Sequence, residues 1–253
     1  MTDQDRDIAI LSALRNQAAE IEPPMELKGK IFKELELWSD GGGFLGKVTV
    51  ASLEADDPFD QLVGGLPPGS GIAIYSLTDN PERTVSNQTN YEHVLWSGGL
   101  EALLQEMQPY VIKLPRSEVI TEIYVMYGFG SLDDSEISAM REEAEKSGKT
   151  VVRPLPPSGK MVGFKLNCED GGSRWEQHVL TTTKNRVHVP DLSTHEVEQT
   201  LVNRHKAVYL GDAFNRQLLW IEEEDGQRLQ YEIRTSDFDK DQVMKLALSI
   251  TNK

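Results

Sequence analysis

The sequence predicts an α+β fold, a mostly antiparallel sheet covered by helices, closing on a C-terminal hairpin-plus-helix unit. Three observations predict it. Short stretches of alternating or clustered apolar and β-branched residues recur at 110–114, 119–127, 161–168, 175–182, 207–210, 218–223 and 228–234. Asp225-Gly226 separates the last two, and this dipeptide suits a two-residue hairpin turn because both central positions need positive φ. The spacing then switches to helical, with Val243, Leu246, Ala247 and Ile250 on one side.

The turn sets a register. It pairs Glu224 with Gln227 and Glu223 with Arg228, and it places Trp220 opposite Tyr231 and Leu218 opposite Ile233. One face then carries Leu218, Trp220, Tyr231 and Ile233, with an opposite-charge pair on the other. Such cross-strand pairs contribute roughly 0.2–1 kcal/mol each. Asp239 to Gln242 fits a capping box with Asp at the cap, and the helix it opens is expected to cover Trp220 and Tyr231.

The remaining elements follow in order, in three segments. Residues 1–38 form an N-terminal helical segment. Thr2 or Asp3 caps a first helix with Ile8, Leu11 and Leu14 on one side, and Pro23-Pro24 ends it. Pro24 suits the first turn of a second helix lined by Leu27, Ile31 and Leu35, with Phe32 beside them. Residues 39–97 form a Gly/Pro-rich connecting region with short strands at 47–53 and 71–76 and a polar loop running to Asn90. Residues 98–253 form the α+β domain. It opens with a helix from Gly99 to Met107 carrying Leu100, Leu103 and Leu104. A later helix, with Ser131 and Asp134 as candidate caps, runs through Lys146 and stops at Gly148. In it Glu142 and Lys146 form an i,i+4 pair. A short helix is expected over 194–201.

Charge narrows the partners. The chain has 253 residues and a net charge of −15, from 41 acids against 26 bases. Such a surface repels phosphate, so neither nucleic acid nor an anionic membrane is expected as a partner. Acidic patches at 54–60, 133–145 and 222–225 read as solvated faces or as docking surfaces for a basic protein. No window has the apolar run of a membrane span. The acidic start, Met1-Thr2-Asp3-Gln4-Asp5, has neither part of a signal peptide. The chain as written is therefore expected in the cytoplasm.

Motifs that approach known chemistry stop short of it. Gly41-Gly42-Gly43-Phe44-Leu45-Gly46-Lys47 matches the glycines and lysine of a phosphate-binding loop, but Val48 stands where a hydroxyl should hold magnesium. A strand-like run follows where a helix is needed. Asp237-Phe238-Asp239-Lys240-Asp241 opens like a calcium loop, yet Gln242 replaces its glycine and Leu248 its bidentate glutamate. His93, His178, His188, His195 and His205 show no metal-ligand spacing, and surface or half-buried roles are expected of them. The single cysteine, Cys168, ends an apolar alternating stretch and reads as a small core residue. No catalytic residue, metal or cofactor is expected.

A resemblance supplies a functional expectation. The residues that carry it are Val202-Asn203-Arg204-His205-Lys206-Ala207-Val208-Tyr209, then 218–226 with its Leu-x-Trp strand and acidic turn, then Tyr231 and Lys245-Leu246-Ala247-Leu248-Ser249-Ile250. This stretch resembles a bacterial domain of unknown function that forms the C-terminal, extracytoplasmic part of anti-sigma-factor-like membrane proteins and some lipoproteins. The segment 100–115 is similar to the start of that domain, so the resemblance covers the last half of the chain. It implies an antiparallel α+β sheet and a sensing or binding role, with an extracytoplasmic location if the chain is a fragment of a membrane-anchored relative.

The expected function is therefore a non-enzymatic binding or regulatory protein with a protein partner. The alternative is a small-ligand carrier or enzyme whose site is assembled from scattered residues. Trp175, Tyr209, Trp220 and Tyr231 are the candidate ligand-binding residues, and core packing is the competing role for the same rings.

Overall fold

The predicted C-terminal hairpin forms in the predicted register. In the computed structural model β13 (Arg216–Glu224) and β14 (Gln227–Thr235) pair antiparallel. Glu224 faces Gln227, Glu223 faces Arg228, Trp220 faces Tyr231 and Leu218 faces Ile233. Gly226 takes the left-handed conformation that the turn demands, with φ of 75°. Arg228 and Glu223 make the expected ion pair at 2.9 Å. The structure describes residues 32–38, 44–52, 65–75, 85–181, 186–189, 196–224 and 226–251. Asp225, the first expected helix and residues 24–31 of the second lie outside them.

The hairpin sits inside an eight-stranded antiparallel sheet, ordered β11-β12-β13-β14-β9-β8-β6-β5. Its other strands are β5 (Val94–Leu95), β6 (Ile120–Phe129), β8 (Pro157–Asp170), β9 (Ser173–Leu180), β11 (Glu196–Val202) and β12 (His205–Gly211). One face of this sheet carries the main core. Phe164, Leu166, Val179, Leu218, Trp220, Tyr231 and Ile233 pack there against α1 (Gly99–Glu106) and α3 (Lys240–Thr251). The helices contribute Leu103, Val243, Ala247 and Ile250, all fully buried. Leu103, Val243 and Ile250 each stabilise the fold by about 1.5–3 kcal/mol. The helix α3 opens on a reciprocal capping box, in which Asp239 Oδ1 accepts from the Gln242 N–H at 2.9 Å and Gln242 Oε1 from the Asp239 N–H at 2.8 Å.

Two smaller sheets complete the strands. β3 (Ser70–Tyr75) pairs antiparallel with β4 (Val85–Asn90) on one side and β7 (Val151–Pro154) on the other. Ala73, Tyr75, Val151 and Leu155 form a second core with Met140 and Ala144 of α2 (Asp134–Ser147). The third sheet joins β1 (Phe32–Trp38) to β2 (Phe44–Ser52) antiparallel and β2 to β10 (Arg186–Val189) in parallel, and β1 lies against β12. Strands from the 39–97 segment thus pair with strands from 98–253. No described helix is long and apolar enough to cross a membrane.

Five expectations are corrected. Residues 32–38 are a strand, because Leu35 and Leu37 alternate with Glu34 and Glu36 and pairing with β2 outweighs the helical spacing read from Leu27, Ile31 and Leu35. Residues 196–201 belong to β11, not to a helix. Val197 faces Leu210 and Thr200 faces Ala207, and a tight turn with positive φ at Asn203 and Arg204 folds the strand back. Residues 85–90, read as part of a loop, are the edge strand β4, whose polar side chains suit an edge. Residues 110–114 join no sheet ladder. The cap of α2 is Asp133, which makes a full capping box with Glu136, and neither Ser131 nor Asp134 fills that role. Gly148 ends the helix in the left-handed region as expected, with φ of 66°.

Candidate functional site

The four candidate rings all lie in the main core. Trp220 and Tyr231 stack face to face, with centroids 5.2 Å apart and planes 11° from parallel. Trp175 packs on Phe238 at 5.7 Å. Tyr209 lies under the Lys240 ammonium at 5.0 Å. The sheet brings Trp220 and Tyr231 together but separates Trp175 from Tyr209 by the strands β13 and β14.

Around the stacked pair is a polar centre. The indole Nε1 of Trp220 donates to Glu222 Oε1 at 3.0 Å, and Lys113 Nζ donates to Glu222 Oε2 at 2.7 Å. The Lys113 backbone N–H donates to the Tyr231 hydroxyl at 3.1 Å, and Gln177 Nε2 donates to the Lys113 carbonyl at 3.0 Å. These bonds hold the 110–116 segment at Lys113 without a ladder. Three buried side chains of the sheet hold the segment by its backbone and its lysine, as a strap across the core face. Burial raises the Tyr231 phenol well above its ordinary pKa, so it stays a neutral hydroxyl. Burial likewise pushes the Cys168 thiol up to about 12, which makes it unreactive in the folded state.

The opposite face of the same sheet holds a second arrangement. Strand alternation sends Lys165, Asn167, Glu176, His178, Glu232 and Arg234 away from the helices. Strand register then sets Leu95, Tyr124, Lys165, His178 and Glu232 in one line across β5, β6, β8, β9 and β14. A parallel line beside it runs Glu122, Asn167, Glu176 and Arg234.

These side chains hold one another. Lys165 Nζ sits 4.7 Å above the Tyr124 ring and 3.1 Å from Glu176 Oε1. His178 Nε2 is 3.1 Å from Glu176 Oε2, and the His93 ring stands edge-on to His178 at 5.8 Å. Glu122 Oε2 accepts from the Tyr124 hydroxyl at 3.0 Å and from Asn167 Nδ2 at 2.8 Å. At the inner end Glu232 accepts from Gln217 Nε2 at 2.6 Å and from Arg234 Nε. Burial falls off along the line, from Glu232 at 1% and His178 at 4% exposed to Leu95 at 65%.

The hydrogen bond from His178 and the bond from Lys165 lower the Glu176 carboxyl to about 2, so it is ionised at neutral pH. Burial holds His178 below its ordinary value, against the pull of Glu176, and the ring is neutral. A carboxylate only accepts, so His178 carries its proton on Nε2. The hydrogen bond to Glu122 raises the Tyr124 phenol, which stays protonated.

His178, expected to be surface or half-buried, is instead buried at 4% exposure because β9 lies between β8 and β14, and none of this row was legible as a site. Its only sequence signal is the alternation Lys165-x-Asn167 and Glu176-x-His178, which becomes a cluster only when β8 and β9 pair. Among the described residues no group of three or more His, Cys, Asp or Glu side chains is placed to hold a metal. Asp237, which opens the calcium-like sequence, instead accepts from the Arg174 N–H at 2.8 Å. No family model matches the chain, and no curated protein or solved structure matches it.

Proposed function

We propose that the protein is a non-enzymatic binding or regulatory protein, a sensing domain of the kind found in anti-sigma-factor-like regulators, and that it recognises another protein. The observation that supports this reading is the row on the sheet's second face. It ends at the exposed Leu95 of a two-residue edge strand, beside a tyrosine, a lysine and two carboxylates already fixed by their mutual bonds. An exposed apolar group bordered by polar ones has the arrangement of an interface's apolar centre and polar rim. Fixing the polar groups before contact reduces the side-chain entropy lost on association.

Site-specific photocrosslinking in cells tests the proposal. A photoreactive side chain at Leu95 is expected to capture a discrete protein that the same group at the exposed Glu145 of α2 does not. Glu122→Lys is expected to abolish that crosslink with only a small fall in melting temperature, because the two bonds it removes are at the surface. Identical crosslinks from both positions would overturn the assignment.

A second reading, a small-ligand carrier, is favoured by one observation. The strap at 110–116 is held across Trp220 and Tyr231 by side-chain bonds rather than by a ladder. A ligand entering under it would displace Lys113 from Glu222, and a metabolite that quenches Trp220 fluorescence only while Lys113 is present would support that reading over the first.

A further inference from the structure

We draw no further inference here: the strongest candidate, the exposed Phe214 ring at the tip of the β12–β13 hairpin, where Asp212 Oδ1 accepts from the Phe214 and Asn215 N–H groups at 2.6 Å, is a single apolar side chain and nothing in the structure shows what covers it.

Discussion

Lys113 and Glu222 meet at 2.7 Å across the main core face, joining a ladderless strap to the central hairpin of the sheet. The carboxylate is 8% exposed and the lysine 22%, so the pair is shielded on the carboxylate side and open on the other. The Glu222 side chain also receives the Trp220 indole N–H. Lys113→Met therefore leaves a buried carboxylate with one of its two donors. The expected loss is about 1–3 kcal/mol, and Lys113→Met combined with Glu222→Gln should recover part of it. Denaturant unfolding of the two single variants and the double variant measures the coupling, and additive losses would contradict it.

Trp220→Ala removes the largest fully buried side chain among the described residues from beneath α3. The expected loss is about 3–5 kcal/mol. Trp220→Phe keeps a ring on Tyr231 but withdraws the indole donor from Glu222, at a smaller loss of about 1–3 kcal/mol. Equilibrium unfolding followed by circular dichroism ranks the two, and equal stabilities for wild type and Trp220→Ala would show that the ring is not packing.

Gly163→Ala tests a close backbone approach. A Cβ at this position would overlap the Val179 carbonyl oxygen and come 2.6 Å from Leu180 Cδ2, so β8 and β9 would have to separate. Overpacking of this kind costs about 1–3 kcal/mol or more. The melting temperature should fall clearly, whereas Gly159→Ala, where no heavy atom lies within 4 Å of the added carbon, should show only the backbone effect of its positive φ.

The second-face row makes stability depend on pH in one direction. The folded Glu176 carboxyl lies at about 2 against an ordinary 4.5, so its contribution is complete above 4.5 and is lost as pH falls toward 2. The folded His178 lies below its ordinary 6.5, so the unfolded chain binds that proton first and stability also falls as pH drops below 6.5. Both groups therefore make the folded state more stable at neutral pH than in acid, Glu176 by losing its bonds on protonation and His178 by resisting a charge that the unfolded chain accepts. His178→Gln should flatten the upper part of the melting-temperature profile and Glu176→Gln the lower part. A wild-type profile unchanged between pH 7 and pH 5 would exclude the contribution of His178.

Asp239→Ala breaks the capping box of α3 and should destabilise the protein by about 0.5–2 kcal/mol, measured by urea unfolding. Asp133→Ala at α2 should cost a similar amount, because Asp133 Oδ1 accepts from the Glu136 N–H at 2.8 Å while the Glu136 side chain reaches back to the cap.

The features legible in the sequence are those set by neighbours along the chain. The Asp225-Gly226 turn determined the pairing of Trp220 with Tyr231, since only one register follows from a two-residue loop. Helical spacing determined the buried side of α3, and Asp239 with Gln242 determined its start. Gly148 determined the end of α2 through its backbone freedom. Where two local patterns competed, at 32–38 and 196–201, only pairing with β2 and β12 chose strand over helix.

Tertiary structure alone decided the rest. The strap at 110–116 has a strand-like sequence, but at Lys113 buried side chains from β9, β13 and β14, not a ladder, bond its backbone and its ammonium. The row from Leu95 to Glu232 draws on five strands spread along most of the described chain. Its carboxylates and cations are ordinary strand residues one by one. The altered proton affinities of Glu176, His178 and Tyr124 arise from burial and from partners that strand pairing supplies, and no local sequence pattern encodes which strand will lie beside which.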